Sequence, residues 1–131
     1  MDYSQEQIRS HVIQALARSL TRNPEDIKGT DTLINHLGLD SLDFLDLMFA
    51  LEKMFKVKIR DADFDRLLKP TQNAELSPYL SAEEVQAMSA IIPGLPKKAQ
   101  EGQIPRNSVI SMMTVNSLVN MIALKLEAQR R

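Results

Sequence analysis

One serine lies between acidic residues where a helical pattern begins. Ser41 follows Asp40 in the stretch "LGLDSLD". A serine hydroxyl can act as a nucleophile beside a base, cap a helix or receive a covalent group. A hydrolytic triad with His36 and Asp40 is excluded by context, because Leu39 occupies a position where the motif G-x-S-x-G requires glycine and no strand precedes the serine. Capping by Ser41 remains open, since serine is favoured at a helix N-cap and an aspartate also suits that end.

Residues 41 to 55 form a predicted helix with two different sides. One side is a continuous apolar stripe typical of a core, made of Phe44, Leu47, Met48, Leu51, Met54 and Phe55. The other side mixes apolar and charged residues: Leu42, Asp43, Leu45, Asp46, Phe49, Glu52 and Lys53. Either the helix is buried nearly all round, or an apolar spot rimmed by acids stays open beside Ser41. An open spot of that kind is typical of a docking surface.

Further helices are predicted around this segment. The apolar spacing predicts a helix over residues 4 to 20, capped by Ser4, and a last helix over about 112 to 127. A long connection with Pro24, Gly29 and Gly38 separates the first two helices, and its apolar residues are expected to anchor it: Ile27, Leu33, Ile34 and Leu37. Residues 60 to 69 predict a short third helix that ends before Pro70. No sheet is expected, so the predicted fold class is all-α.

Residues 70 to 108 differ in composition from the rest of the chain, since they hold five of the six prolines. Ser81 and Glu84 form a predicted capping box for a helix that runs to Ile92 and is stopped by the prolines and glycine that follow. This segment either packs back onto the other helices or provides an extra element for docking or for the shelter of a bound group. The positive charge of Lys97, Lys98 and Arg106 is expected either to extend recognition to a second surface or to mask the acidic helix of residues 41 to 55. The segment is expected to be dispensable for covalent modification of Ser41 but needed by at least one dedicated partner.

Composition restricts the function classes. The chain has 131 residues, a length typical of one domain, and its formal net charge is −1. Neither nucleic-acid binding nor stable membrane insertion is indicated, because there is no strong basic balance and no apolar run approaches the roughly 20 residues of a membrane span. The polar N-terminus is unlike a signal peptide, so a cytoplasmic protein is expected. The chain has no cysteine, and therefore no thiol of its own.

The stretch "LGLDSLD" resembles the phosphopantetheine attachment motif of acyl carrier proteins. The resemblance extends over about residues 4 to 69 and 109 to 128, with the helices in the family's order. It implies a four-helix acyl-carrier-like bundle with a long loop after the first helix. It also implies that residues 1 to 131 form a single domain. The insert of residues 70 to 108, with its additional helix, lies between the third and last helices and marks a specialised member.

The resemblance also implies a role for each matched residue. Ser41 would carry 4′-phosphopantetheine, and Asp40 would help the phosphopantetheinyl transferase to place its metal and substrate. The surface for partner enzymes would consist of Leu42, Asp43, Leu45, Asp46 and Phe49. The partners would be acyl-transfer, synthase or ligase enzymes of lipid or fatty-acid-derived biosynthesis, and the chain would act as a monomeric carrier rather than an enzyme. An amino acid or polyketide cargo, or an unmodified interaction module, remains the alternative.

Overall fold

The structure is a computed structural model that describes residues 3–59 and 78–129. Its helices are α1 (Gln5–Leu20), α2 (Ser41–Phe55), α3 (Ala82–Met88), α4 (Leu95–Glu101), α5 (Val109–Met112) and α6 (Val115–Gln129), with 3-10 turns at Pro24–Asp26 and Arg106–Ser108. Two isolated β-bridges are the only extended pairings in these ranges. The predicted all-α class is confirmed. The predicted third helix and the start of the insert lie outside the described residues.

Helix α1 is the central packing element, because it contacts both α2 and α6. It begins where the sequence predicts, with Ser4 and Gln7 forming a reciprocal capping box. Its inner stripe of Ile8, Val12 and Leu16 is buried. The spacing of these residues, four apart, places them on one face, and burial of that face rather than helix propensity stabilises the helix.

The core side of α2 is confirmed almost in full. Five of its six predicted residues are buried, namely Phe44, Leu47, Met48, Leu51 and Phe55. Met54 is half-buried at the edge of the core. The predicted limits of this helix, residues 41 to 55, coincide with the observed ones.

The connection between α1 and α2 is fastened to the start of α6. The N–H groups of Val115 and Asn116 donate to the carbonyls of Asp31 and Gly29, at 3.0 and 2.9 Å, and Leu33 N–H donates to Met113 O at 3.0 Å. These bonds satisfy N–H groups that a helix start leaves without an intrahelical partner. They also order a connection that has little regular structure of its own. The predicted anchors Ile27, Leu33 and Leu37 are buried, whereas Ile34 is half-buried.

Gly29 lies where the two segments approach closely, so a side chain at this position would force the Asn116 amide to move. A Cβ at residue 29 would lie 2.9 Å from Cγ and Nδ2 of Asn116, closer than side-chain carbons pack. The absence of a side chain at Gly29 therefore lets the connection reach the helix start.

The insert packs onto the bundle and contributes to its interior. Ile92, Leu95 and Ile104 are buried within the same apolar cluster as α1, α2 and α6. Asn120 of α6 also donates from Nδ2 to Ile91 O at 3.3 Å. We therefore expect deletion of residues 70 to 108 to destabilise the bundle. That the segment is dispensable for modification of Ser41 stays a prediction.

The helices of the insert differ from the prediction. The capping box of Ser81 and Glu84 is confirmed, but α3 ends at Met88 instead of Ile92. A second helix, α4, follows where the sequence indicated only turns. Pro96 was interpreted as a helix stop, yet it lies in the first turn of α4, where a proline is tolerated because that N–H needs no intrahelical partner.

Arg106 is not the exposed cation that the sequence suggested. Its side chain is buried and pairs with Glu84 through two hydrogen bonds, one of them 2.9 Å from Nη2 to Oε1. Arg106 Nη2 also donates to Tyr79 O at 3.4 Å, and its backbone N–H donates to Pro78 O at 2.8 Å. The hydrogen bonds from Arg106 hold the pKa of Glu84 at about 2, below the ordinary value of 4.5. This pair therefore joins α3 to the segment that leads into α5.

Within residues 3–59 and 78–129, no helix is both long and apolar enough to cross a membrane.

We expect Glu84→Gln to lower the free energy of unfolding by roughly 3 kcal/mol at pH 7, since a buried guanidinium would lose its carboxylate partner. The carboxylate pKa is depressed in the folded protein, so this stabilisation is present above pH 4.5 and is lost as the pH falls towards 2. Urea unfolding at several pH values measures the difference between wild type and variant. Glu83→Gln, at an exposed neighbour, is the control. A difference that stays constant down to pH 2 would contradict the assignment.

Candidate functional site

Ser41 is the first residue of α2, and Asp40 caps the helix. Asp40 Oδ1 accepts from Asp43 N–H at 2.7 Å, and Asp43 Oδ2 accepts from Asp40 N–H at 3.3 Å. This is a reciprocal capping box in which both partners are aspartates. The interpretation of Ser41 as the cap is therefore wrong, because the preceding residue has that role. The start of α2 does not need the serine hydroxyl for capping.

The position of Ser41 is fixed by buried residues on both sides of it. Leu39 precedes the helix and Phe44 follows one turn into it, and both are buried. Leu39 N–H also donates to Leu33 O at 3.0 Å, which links the approach to α2 with the part of the loop that is bonded to α6. Gly38 supplies the left-handed turn before this approach, with φ of 75°. The backbone of Ser41 thus lies at a helix start that Leu39 and Phe44 anchor to the core.

An apolar stripe rimmed by acids continues from this helix start. Leu42 is 72% exposed and Phe49 is 45% exposed. Leu45 lies between them at helical spacing, but it is half-buried and packs against the core. The helix is therefore not buried all round, and the open alternative is correct for Leu42 and Phe49. Leu45 therefore forms the floor of the stripe, and its side chain is less exposed than those of Leu42 and Phe49.

The acids of this face differ in their surroundings. Asp40 and Asp46 are exposed, whereas Asp43 is half-buried within the capping box. Asp46 also borders a groove of about 210 Å³ between α1 and α2, to which α1 contributes Gln14 and Arg18. The sequence did not reveal this groove, since its two walls are about 30 residues apart in the chain.

Glu52 is a further residue whose role the sequence did not show. It was grouped with the charged side of α2, yet its Oε2 accepts from Ile59 N–H at 2.8 Å. The carboxylate therefore holds the chain that leaves α2, and Ile59 is buried. The seven-residue separation gave no periodic signal for this contact.

The two histidines have structural contacts. His36 Nδ1 accepts from Thr32 N–H at 2.8 Å, and Thr32 Oγ1 accepts from His36 N–H at 3.1 Å, so His36 braces the loop. His11 packs edge-to-face against Tyr3 and Phe55. Among residues 3–59 and 78–129, no group of three His, Cys, Asp or Glu residues is placed to hold a metal ion. These contacts provide no support for a hydrolytic site at Ser41.

Comparison with known proteins identifies a family model described as a phosphopantetheine attachment site. It matches residues 10–71, a range that includes Ser41, the acidic capping box and the exposed stripe. The range ends before α3, so most of the insert lies beyond it.

Three curated relatives are similar to this chain over 54 to 57 residues. The acyl carrier protein of Campylobacter jejuni subsp. doylei is 39% identical over 54 residues, which is 41% of this chain and 70% of the relative. That of Campylobacter curvus is 37% identical over 57 residues, covering 44% and 74%. That of Wolinella succinogenes is 33% identical over 54 residues, covering 41% and 71%. No solved structure matches the chain.

The capping box leads to a stability prediction. Asp40→Ala removes the acceptor for Asp43 N–H and is expected to lower the free energy of unfolding by about 1 kcal/mol. Asp40→Asn keeps a capping oxygen and should stay near the wild-type value, because asparagine caps helices as well as aspartate does. Chemical denaturation followed by circular dichroism measures both variants. Equal losses for alanine and asparagine would contradict a capping role.

Proposed function

Because the chain belongs to the acyl carrier protein family, we propose that Ser41 is the residue that carries its 4′-phosphopantetheine group. The observation that carries this proposal is the position of Ser41. It is the first residue of α2, between the exposed residues Asp40 and Leu42 and within the range of the family model, and Asp40 caps the helix. A capping role therefore does not account for a serine at this position.

The composition of the chain fits this group. An acyl carrier holds its cargo as a thioester, and this chain contains no cysteine to form one. When bound, 4′-phosphopantetheine supplies that thiol. The chain therefore acts as a carrier and not as a catalyst, and its own residues hold, present and shield the cargo.

The electrostatics of the helix start have two opposing parts. Unpaired N–H groups and the helix dipole favour an anion at the N-terminus of α2. The carboxylates of Asp40 and Asp43 oppose an added phosphodiester, but both are held in the capping box. We propose that exposed Asp40 serves the phosphopantetheinyl transferase by helping to place its metal and substrate. The transferase would then move the group from coenzyme A to the Ser41 oxygen, breaking the pyrophosphate bond and releasing adenosine 3′,5′-bisphosphate, while a base of that enzyme takes the serine proton and its metal holds the phosphates.

The exposed face of α2 is the proposed partner surface. Leu42 and Phe49 would be buried transiently by acyl-transfer, synthase or ligase enzymes, over the floor formed by Leu45. The acids Asp43 and Asp46 would steer basic patches on these enzymes, which raises the association rate without a tight complex. Rapid exchange suits a carrier that visits several enzymes in turn as a monomer.

Modification at Ser41 is tested by mass spectrometry. Wild type, Ser41→Ala and Ser10→Ala are each incubated with a permissive transferase and coenzyme A. One phosphopantetheine should be added to wild type and to Ser10→Ala, and none to Ser41→Ala, because only the last lacks the accepting hydroxyl. Labelling of Ser41→Ala, or the absence of labelling in the wild type, would contradict the proposal.

The partner surface is tested by charge reversal. Asp46→Lys should leave the unfolding curve unchanged and slow modification by the transferase roughly tenfold at low salt, with the difference shrinking as salt rises. Glu6→Lys carries the same charge change at the exposed start of α1 and serves as the control. Stopped-flow or initial-rate measurements at several salt concentrations give the comparison. Equal slowing by both variants would argue against a specific surface on α2.

A further inference from the structure

The insert carries an apolar cavity of its own, which is open to solvent. The cavity is about 490 Å³ and lies between α3 and α4, with Leu80 and Ile104 contributing from the flanking chain. It lies outside residues 10–71, which the family model matches, so it is separate from the attachment region. Its volume falls within the range typical of small-ligand pockets.

The side chains around this cavity select for a hydrocarbon. Among the residues that line it, none is charged, and Gln103 is the one polar side chain. Small residues, Ala82 and Ala99, take part in opposite walls and leave the space between α3 and α4 unfilled. A charged or strongly polar ligand would find few partners here, whereas each methylene group transferred from water would strengthen binding roughly fourfold.

The walls of the cavity are held apart by specific contacts. Leu80 N–H donates to Ile104 O at 2.9 Å, and the buried Arg106 pairs with Glu84, which is adjacent to the lining residue Val85. Leu95, at the start of α4, is buried in the bundle core. These contacts fix Leu80, Ile104 and the start of α4 at the border of the space, to which Gly102 and Gln103 contribute from chain outside the helices.

The cavity is also connected to the attachment region through the chain. From Ile104 the chain passes through two helical turns, Arg106–Ser108 and Val109–Met112, to Met113, a path of at most about 20 Å. Met113 O accepts from Leu33 N–H, and Leu33 O accepts from Leu39 N–H, two residues before Ser41. The chain from Ile104 to Met113 and these two hydrogen bonds thus link the border of the cavity to the start of α2.

We infer that the insert cavity binds the hydrocarbon part of the acyl chain that this same molecule carries. The inference rests on the proposed attachment at Ser41, which supplies the tether. The insert then acts as a shelter that shields the distal end of a long chain from water. Short chains would not reach the cavity and would leave it unchanged.

The test loads wild-type protein at Ser41 with butyryl or hexadecanoyl pantetheine and records methyl NMR spectra. Mass spectrometry first establishes that loading is complete. The hexadecanoyl form should shift the methyl signals of Val85, Ala99 and Ile104 relative to the butyryl form. The signals of Ala87 and Leu124, which do not line the cavity, should stay in place.

Two filled variants make the test specific. Ala99→Phe and Ala82→Phe should abolish the chain-length-dependent shifts in the remaining cavity methyls, whereas Ala87→Phe, on the same helix as Ala82, should retain them. Ala82 is exposed at its helix start, so that variant keeps the test decisive if Ala99→Phe does not fold.

The outcomes separate this inference from the proposed function. Complete hexadecanoyl loading without shifts at the cavity overturns the inference and leaves attachment at Ser41 intact. Absence of loading in wild type overturns both, and mass spectrometry distinguishes the two cases. Free dodecanoate added to Ser41→Ala tests whether the cavity instead binds a free fatty acid, which has the same hydrocarbon chemistry. Shifts with free dodecanoate but none with the tethered chain would overturn the assignment to the protein's own cargo.

Discussion

The fastening of the α1–α2 connection to the start of α6 is the constraint on which the site depends. Three backbone hydrogen bonds join Gly29, Asp31 and Leu33 to the chain at 113–116. The connection would otherwise be a long segment with little regular structure, free to place α2 in many ways. Because α1 packs on both α2 and α6, the same junction fixes the loop and the helices around it. The helix start that presents Ser41 is thereby positioned by residues distant in sequence.

The acidic residues at the start of α2 and along it have different structural roles. Asp40 and Asp43 satisfy each other's N–H groups, and Glu52 holds Ile59 at the other end of the helix. Asp46 remains exposed beside the apolar stripe. A count of acidic residues would treat these as one patch, although only part of the charge is available to steer a partner. The apolar residues of this face also differ from one another, since Leu45 packs inward whereas Leu42 and Phe49 are exposed.

The insert gives this carrier a second structural unit within one core. Its buried ion pair removes from the surface a cation that the sequence placed there, and fixes α3 to the segment before α5. Burying a charge pair is seldom the most stabilising choice, and its directional bonds specify one arrangement of the walls. In this arrangement the space between α3 and α4 stays open instead of being filled by large side chains.

The sequence by itself determined the helices that have strong periodicity or caps: α1, α2, the start of α3 and most of α6. It also determined the attachment motif, because a short local pattern carries that signal. Tertiary structure decided the contacts between distant residues, such as the pair of Arg106 with Glu84, 22 residues apart, and the burial of Leu45. It also decided that Asp40 rather than Ser41 caps α2, since both residues are good caps and backbone geometry alone distinguishes them. Spacing within a helix reports its own faces, whereas the partner of each face is set by how the whole chain packs.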